Sequence, residues 1–438
     1  MTDNSDILKA AYFTLGCKLN FAESSTIGKL LAERGIVRAA TGETPDICVV
    51  NTCSVTEMAD KKGRQLVRRL ATRYPDATIV VTGCYAQLKP DEAASLPGVD
   101  IVLGSDQKLL MADYIDRWRT NRQKAVAVTP THDIKTFRHS CERGDRTRYF
   151  LKVQDGCDYF CTYCTIPYAR GRSRSGNTDE LIALARQAAA QGGREIVITG
   201  VNIGEFGRDS GESFFELLKR LDAVESIERY RISSIEPNLL TDDIIDWIAN
   251  EARAFMPHFH IPLQSGSDTV LRLMNRRYDT TLFRHRLEYI RNRIPDAFIG
   301  VDIIAGARGE TPEEWKHSFD FATSLPVTRF HVFPYSERPG TSALHLANPV
   351  SQHDKHLRVK ALTDLSDRKL HDFMTFQTGL TRPVLWEGSA DGVTMHGLTD
   401  NYLRVSAPLH PELVNTVGMA RLERISANEP DTIEAICL

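Results

Sequence analysis

Two blocks of the chain alternate short apolar runs with helix-patterned stretches, and that alternation leaves few folds open. In residues 1–125 the strand-like runs are 11–15, 46–50, 78–82 and 100–103, with amphipathic stretches such as 21–34 and 57–73 between them. Strands that alternate with helices pair in parallel, because a crossover helix returns the chain to the same edge. The first block therefore predicts a doubly wound α/β domain with helices on both faces. From Tyr149 the alternation restarts, with runs at 149–154, 195–199, 229–233, 258–263, 298–304 and 329–334, the last followed by a helix over 352–378. Six strand–helix units are too few for a closed eightfold barrel and predict an open, partial (β/α)6 barrel over residues 143–375. The polar stretch 129–148 between the blocks reads as a linker, with Cys141 in it as a free thiol. Residues 379–438 change to five short runs separated by turn residues, which predicts a small β-barrel of oligonucleotide-binding type.

Composition narrows the function. With 54 basic against 57 acidic residues, the net charge of −3 does not suit a general polyanion binder. One local exception is Lys61–Arg73, with six basic residues and no acid, which is either a solvated helix face or a contact for nucleic-acid phosphate. The last block holds four arginines, no lysine and eight acids, which is unusual for an RNA-binding barrel. No run approaches the ~18 apolar residues of a membrane span. The opening residues 1–6 carry two acids and no basic residue, so no secretory leader is predicted and the cytoplasm is the expected compartment.

In that compartment thiols stay reduced, so nine cysteines point to metal or catalysis rather than to disulfides. Cys157, Cys161 and Cys164 lie on one short loop after the first strand of the second block. Three thiolates there can hold three irons of a cubane and leave the fourth open, whereas a closed zinc site wants four ligands. Cys17, Cys53 and Cys84 each stand at or just past the carboxyl end of a predicted strand, where a parallel sheet places its ligands. They suggest a second metal site. Cys48 lies inside a strand and reads as core, and Cys437 has no partner in sequence.

The spacing Cys157-x3-Cys161-x-Tyr163-Cys164 resembles the signature of the radical S-adenosylmethionine superfamily. Together with Gly16–Asn20, Asn51–Cys53, Thr82–Gln87 and Ile166–Gly171, it resembles the methylthiotransferase branch, and the final block is similar to that branch's TRAM module. The segments GCKLNFAES, VNTCSVTEMADKK, ARGRSRS and LQSGSDTVLRLMNRRY resemble the MtaB-type enzymes, which methylthiolate N6-threonylcarbamoyladenosine at tRNA position 37. The resemblance implies two [4Fe-4S] clusters. The one on Cys157, Cys161 and Cys164 would bind and cleave S-adenosylmethionine, and the one on Cys17, Cys53 and Cys84 would carry sulfur. Around the cofactor it implies Tyr163, Gly200 and Asn202, the serines Ser233 and Ser234 for ribose hydroxyls, and Gln264. Implied partners are the tRNA anticodon stem-loop and an electron donor such as a flavodoxin or ferredoxin, with no membrane.

Arg170, Arg172, Arg174, Arg276 and Arg277 surround these motifs and suit recognition of phosphate or of the threonylcarbamoyl carboxylate. His258 and His260 share one side of a strand, facing either the barrel lumen or the core. One departure stands out: relatives commonly read Gly-Phe-Pro-Gly-Glu-Thr where this chain has Ala307 and Arg308 after Gly306. Rival readings are a methylthiotransferase acting on a ribosomal-protein aspartate, one acting on isopentenyladenosine in tRNA, and a non-catalytic zinc-bound RNA-binding protein.

Overall fold

The computed structural model describes residues 7–144, 146–389 and 391–438. The acidic opening, residues 1–6, lies outside the described residues. Strands β1 (Lys9–Thr14), β2 (Val37–Arg38), β3 (Ile47–Thr52), β4 (Thr78–Gly83), β5 (Val99–Leu103) and β6 (Ala125–Ala127) form one parallel sheet in the order β2-β1-β3-β4-β5-β6. Successive residues of β3 serve opposite faces: Ile47 and Val49 pack with Ile27 and Ile115, while Cys48 and Val50 pack with Leu66 and Leu70. Both faces are thus covered, which is why the strands read as unbroken apolar runs. The strand order reverses between β1 and β3, the point at which such sheets leave a crevice. Helices α1 (Lys18–Ala32), α2 (Glu57–Arg73) and α3 (Cys84–Leu88) start at or near this carboxyl edge.

The expected linker is partly built into the second domain. Ser140–Glu142 forms β7, antiparallel to β8 (Tyr149–Lys152) at the sheet edge, and Cys141 is buried in the central core. Residues 125 and 143, read as domain edges, each fall beside a three-residue edge strand too short to leave an apolar period. A short hairpin pairs β9 (Gln154–Asp155) with β10 (Arg174–Ser175) around the cysteine loop. The barrel continues through β11 (Glu195–Thr199), β12 (Arg229–Ile232), β13 (His258–Gln264), β14 (Phe298–Ala305) and β15 (Arg329–Pro334). Hydrogen bonding splits it into β12-β11-β8-β7 and β13-β14-β15, joined by parallel bridges Tyr230–Phe255 and Ser234–His260. With β7 added outside β8, it remains open between β7 and β15.

The helix Gln352–Gln377 leads into a closed five-stranded barrel of β16 (Thr381–Trp386), β17 (Thr394–Thr399), β18 (Arg404–Pro408), β19 (Val417–Ile425) and β20 (Thr432–Cys437). This barrel plugs the amino-terminal end of the central strands. Arg229 donates to the Leu398 carbonyl at 2.9 Å, and Arg231 donates to those of Thr399 and Asp400 at 2.7 and 2.8 Å. Tyr402 stacks on His258 with ring centres 4.0 Å apart. Of the two histidines on β13, His258 is therefore a core residue, while His260 faces the lumen.

Candidate active site

The carboxyl edge of the first sheet gathers Cys17, Cys53 and Cys84. Cys17 caps α1, Cys53 follows β3, and Cys84 opens α3. Two glycines let these loops close on one another. Gly16 (φ +106°) sits where a Cβ would come 2.7 Å from that of Cys53, and Gly83 (φ +93°) where one would meet the Thr52 carbonyl at 2.3 Å. Asn20 ties the same loops, donating to the carbonyls of Leu15 and Thr52 at 2.9 and 3.0 Å. Burial and the neighbouring thiols push Cys53 up to about 12, and burial raises Cys84 against the pull of Arg170 and Lys108.

The second triad is fixed from outside its loop. Thr162 donates through its backbone to Met274 O (3.1 Å) and through its hydroxyl to Leu273 O (2.8 Å). Asn275 and Arg277 reach back to the carbonyls of Tyr159 and Asp158 at 3.2 and 2.6 Å. Backbone N–H groups of Tyr159 and Ile166 point at the sulfurs of Cys157 and Cys164, each at 3.4 Å. Arg276 donates to Cys161 Sγ at 3.1 Å and pairs with half-buried Glu236. Burial raises all three thiols, Cys164 to about 12, so ionised ligands here need metal charge. Tyr163 packs against the apolar cluster that includes Val270, Met274 and Ala307. The departure after Gly306 thus fills the pocket behind Tyr163 with a small side chain, and Arg308 ties the loop to Glu337 and to the carbonyls of Leu344 and Leu346.

The sheet-edge triad opens on a chamber of about 540 Å³, whose wall includes Cys17, Cys53, Cys84, Gly200, Ser233 and Ser234. Ile166, two residues past Cys164, completes it. Thr165 beside Cys164 also donates to the carbonyl of Ser54 beside Cys53, at 3.2 Å. Near Gly200, Asn202 is 4% exposed and neither end of its amide has a partner among the described residues, as a residue built to meet a ligand would be. Gln264, in the left-handed region at a register shift of β13, stands outside the chamber wall.

The donor sets test the metal. Each triad offers three thiols and, among the described residues, no fourth cysteine, which fits three corners of a cubane, whereas a closed zinc site wants four ligands.

Three of the five arginines expected to meet substrate are already paired with groups inside the chain. Arg170 is fully buried, pairing with Glu23 (3.1 Å) and Asp155 (3.0 Å) and donating to Asn20 Oδ1 at 2.7 Å. Arg174 pairs with Asp155 at 3.2 Å, and Arg276 is committed to Glu236 and Cys161. Buried guanidinium groups need carboxylates, and the fold supplies them internally. Arg277 lies over the Tyr159 ring at 4.0 Å, and Arg172, 72% exposed, over Phe160 at 4.6 Å.

What the sequence concealed is the lock between the domains. Glu23 and Asp155 face Lys108, Lys152, Arg170 and Arg174, all buried; Glu23 meets Lys108 at 2.6 Å and Lys152 at 3.0 Å, and Lys152 also meets Asp155 at 2.7 Å. Against burial, Arg170, Lys108 and Lys152 hold the Glu23 carboxyl far below its usual range, and burial brings Lys108 down to about 8. Four cations against two acids leave positive charge behind the cysteines. The members lie far apart along the chain, and their only sequence signal is charge inside otherwise apolar runs, such as Lys152 after β8's Leu151.

Residues 9–104 match an uncharacterized protein family, UPF0004, and residues 151–322 match the radical SAM superfamily. The chain is 39% identical over 403 residues to the threonylcarbamoyladenosine tRNA methylthiotransferase MtaB of Bacillus subtilis (strain 168), covering 90% of this chain and 89% of that protein. It is 32% identical over 384 residues to the tRNA-2-methylthio-N(6)-dimethylallyladenosine synthase of Syntrophus aciditrophicus (strain SB), covering 86% and 83%. In fold it is similar to the radical S-adenosylmethionine methyltransferase TsrM of Kitasatospora setae, with a TM-score of 0.57 at 14% identity over 77% of each chain. Superfamily membership brings one [4Fe-4S] cluster and S-adenosylmethionine with it. The chain belongs to the MtaB family of radical SAM tRNA methylthiotransferases.

Proposed function

We propose that this chain inserts a methylthio group at carbon 2 of N6-threonylcarbamoyladenosine at tRNA position 37, meeting the RNA at its anticodon stem-loop in the cytoplasm. One observation carries the reading: a single chamber takes Cys17, Cys53 and Cys84 from the first domain and Gly200, Ser233 and Ser234 from the second. Cys157, Cys161 and Cys164 would hold the superfamily's cluster, and Cys17, Cys53 and Cys84 a second [4Fe-4S] cluster. When bound, these groups supply reductive cleavage of S-adenosylmethionine, with the electron coming from a flavodoxin or ferredoxin, and the sulfur that is methylated and transferred.

The chain's own residues position and shield. The unpartnered Asn202 amide and the backbone at Gly200 would take the methionine end of the cofactor, and Ser233 and Ser234 its ribose. The buried charge lock holds the two domains against each other, keeping water from a chamber where a carbon radical must survive. RNA phosphate would meet α2, where Lys61, Lys62, Arg68 and Arg69 are exposed and make no ion pair among the described residues. The carboxyl-terminal barrel, of TRAM type, offers less: Arg382, Arg404, Arg421 and Arg424 all face acids.

The test is mass spectrometry of nucleosides from tRNA incubated with anaerobically reconstituted protein. The 2-methylthio derivative of threonylcarbamoyladenosine is expected. Equal conversion of prenylated tRNA, or modification of a ribosomal protein instead, would overturn the reading.

A further inference from the structure

Of the described basic residues on the chamber wall, Arg170 is paired with Glu23 and Asp155, and Lys18 is left without an acid. Lys18 follows Cys17 and lines the same wall as Cys53, Cys84, His260 and Asp302. Its ammonium makes no hydrogen bond or ion pair among the described residues, and it stands 5.9 Å from the centre of the Tyr402 ring. The acid on that wall, Asp302, is already held by His260 Nε2 at 2.7 Å. His331, whose ring centre is 5.0 Å from that of His260, stays neutral: burial, with the charge of its neighbours, brings it down to about 4. Against burial, Lys18, Arg148 and Arg231 hold the Tyr402 hydroxyl below its usual value, so the Lys18 charge is felt deep in the lumen.

We infer that Lys18 reads the carboxylate of the threonylcarbamoyl group and so sets substrate choice; this rests on the function proposed above. The chemistry of the base fits. In adenine, carbon 2 and the carbon bearing N6 flank the same ring nitrogen, so a base presenting carbon 2 to the Cys17, Cys53 and Cys84 site carries its N6 substituent past the residue next to Cys17. That substituent ends in a carboxylate, and a carboxylate in a largely apolar chamber needs a cation. A prenyl tail needs none, and beside it Lys18 would be an unpaired charge. The His260–Asp302 pair and neutral His331 are left to hydrogen-bond the urea and hydroxyl groups.

The test uses reconstituted holoenzyme and three anticodon stem-loops, bearing threonylcarbamoyladenosine, its carboxamide analogue, or unmodified adenosine at position 37. Binding is read by fluorescence anisotropy and turnover as kcat/KM. Wild type should bind the carboxylate form about 10- to 100-fold more tightly than the carboxamide, the range of a charge-assisted contact. Lys18→Gln should erase that difference while leaving binding of unmodified RNA in place, and Lys18→Arg should restore part of it. Iron content and visible absorption of each variant report whether the neighbouring Cys17 site survives. The carboxamide arm needs no variant, so equal binding there overturns the proposal even if Lys18→Gln loses its cluster. Equal binding of carboxylate and carboxamide by wild type, or full discrimination by Lys18→Gln, overturns the role of Lys18. A wild type that fails to methylthiolate any of the three overturns the proposed function instead.

Discussion

Cys157, Cys161 and Cys164 come from eight consecutive residues of one loop, whereas Cys17, Cys53 and Cys84 come from three loops along one sheet edge. The loop triad converges through contacts near it: the carbonyls of Leu273 and Met274, two N–H···S approaches and Arg276. The sheet triad converges because parallel pairing brings β1, β3 and β4 to one edge in register, Thr14 opposite Asn51 and Thr52 opposite Gly83. A local site survives distant disturbance. A site assembled by topology inherits every weakness of the sheet that carries it.

The largest effect should separate the two triads by chemistry. Cys161→Ala should reduce 5′-deoxyadenosine formation to background. Cys53→Ala should keep cofactor cleavage, lose the methylthio product and hold about half the iron. Normal product from Cys53→Ala would dissolve the distinction.

Next comes the lock that seats one triad against the other. Arg170→Met leaves Glu23 and Asp155 short of a partner in a buried site, which should cost about 3–5 kcal/mol in urea unfolding. Wild-type stability in this variant would mean that the network does not join the domains.

Acid sharpens the same point with a smaller effect. The Glu23 carboxyl is held far below its ordinary 4.5, and Asp155 likewise below 3.8, by the lysines and arginines around them. A carboxyl lowered on folding adds stability that is complete above its unfolded value and is lost as pH falls through its folded one. Unfolding free energy should therefore decline below about pH 4.5, and less steeply in Glu23→Gln. Parallel curves for the two proteins would refute this.

The smallest effect concerns RNA. Reversing Lys61 and Lys62 to Glu should flatten the plot of log affinity against log salt by about 0.7–0.9 for each phosphate that is no longer neutralised. Arg424→Ala should leave it unchanged, because Arg424 faces Glu434 at 2.7 Å. The opposite ranking would move the RNA from α2 to the carboxyl-terminal barrel.

Much of the architecture was readable along the chain, because each signal was local. Glu57–Arg73, Glu195–Thr199 and Arg329–Pro334 have the bounds that periodicity predicts, and five short runs became the five strands of a closed barrel. Edge strands β6 and β7 were illegible, since three residues are too few to show a period of two. The carboxyl-end placement of Cys17, Cys53 and Cys84 was also readable, because strand ends are punctuated by glycines and caps.

By itself, then, the sequence determined which elements form, and which thiols stand at their ends, since hydrophobic period, turn residues and cysteine spacing act over a few residues. The fate of each charge was decided only in three dimensions. Arg170, Arg174 and Arg276 look like substrate readers in one dimension, yet each is neutralised by acids far off in sequence or held beside a sulfur. Lys18, which in sequence is only the residue after a cysteine in the GCKLN segment, has no acid beside it in the chamber among the described residues. A cation's role depends on the carboxylates that folding brings within a few ångströms, and sequence distance carries no record of that.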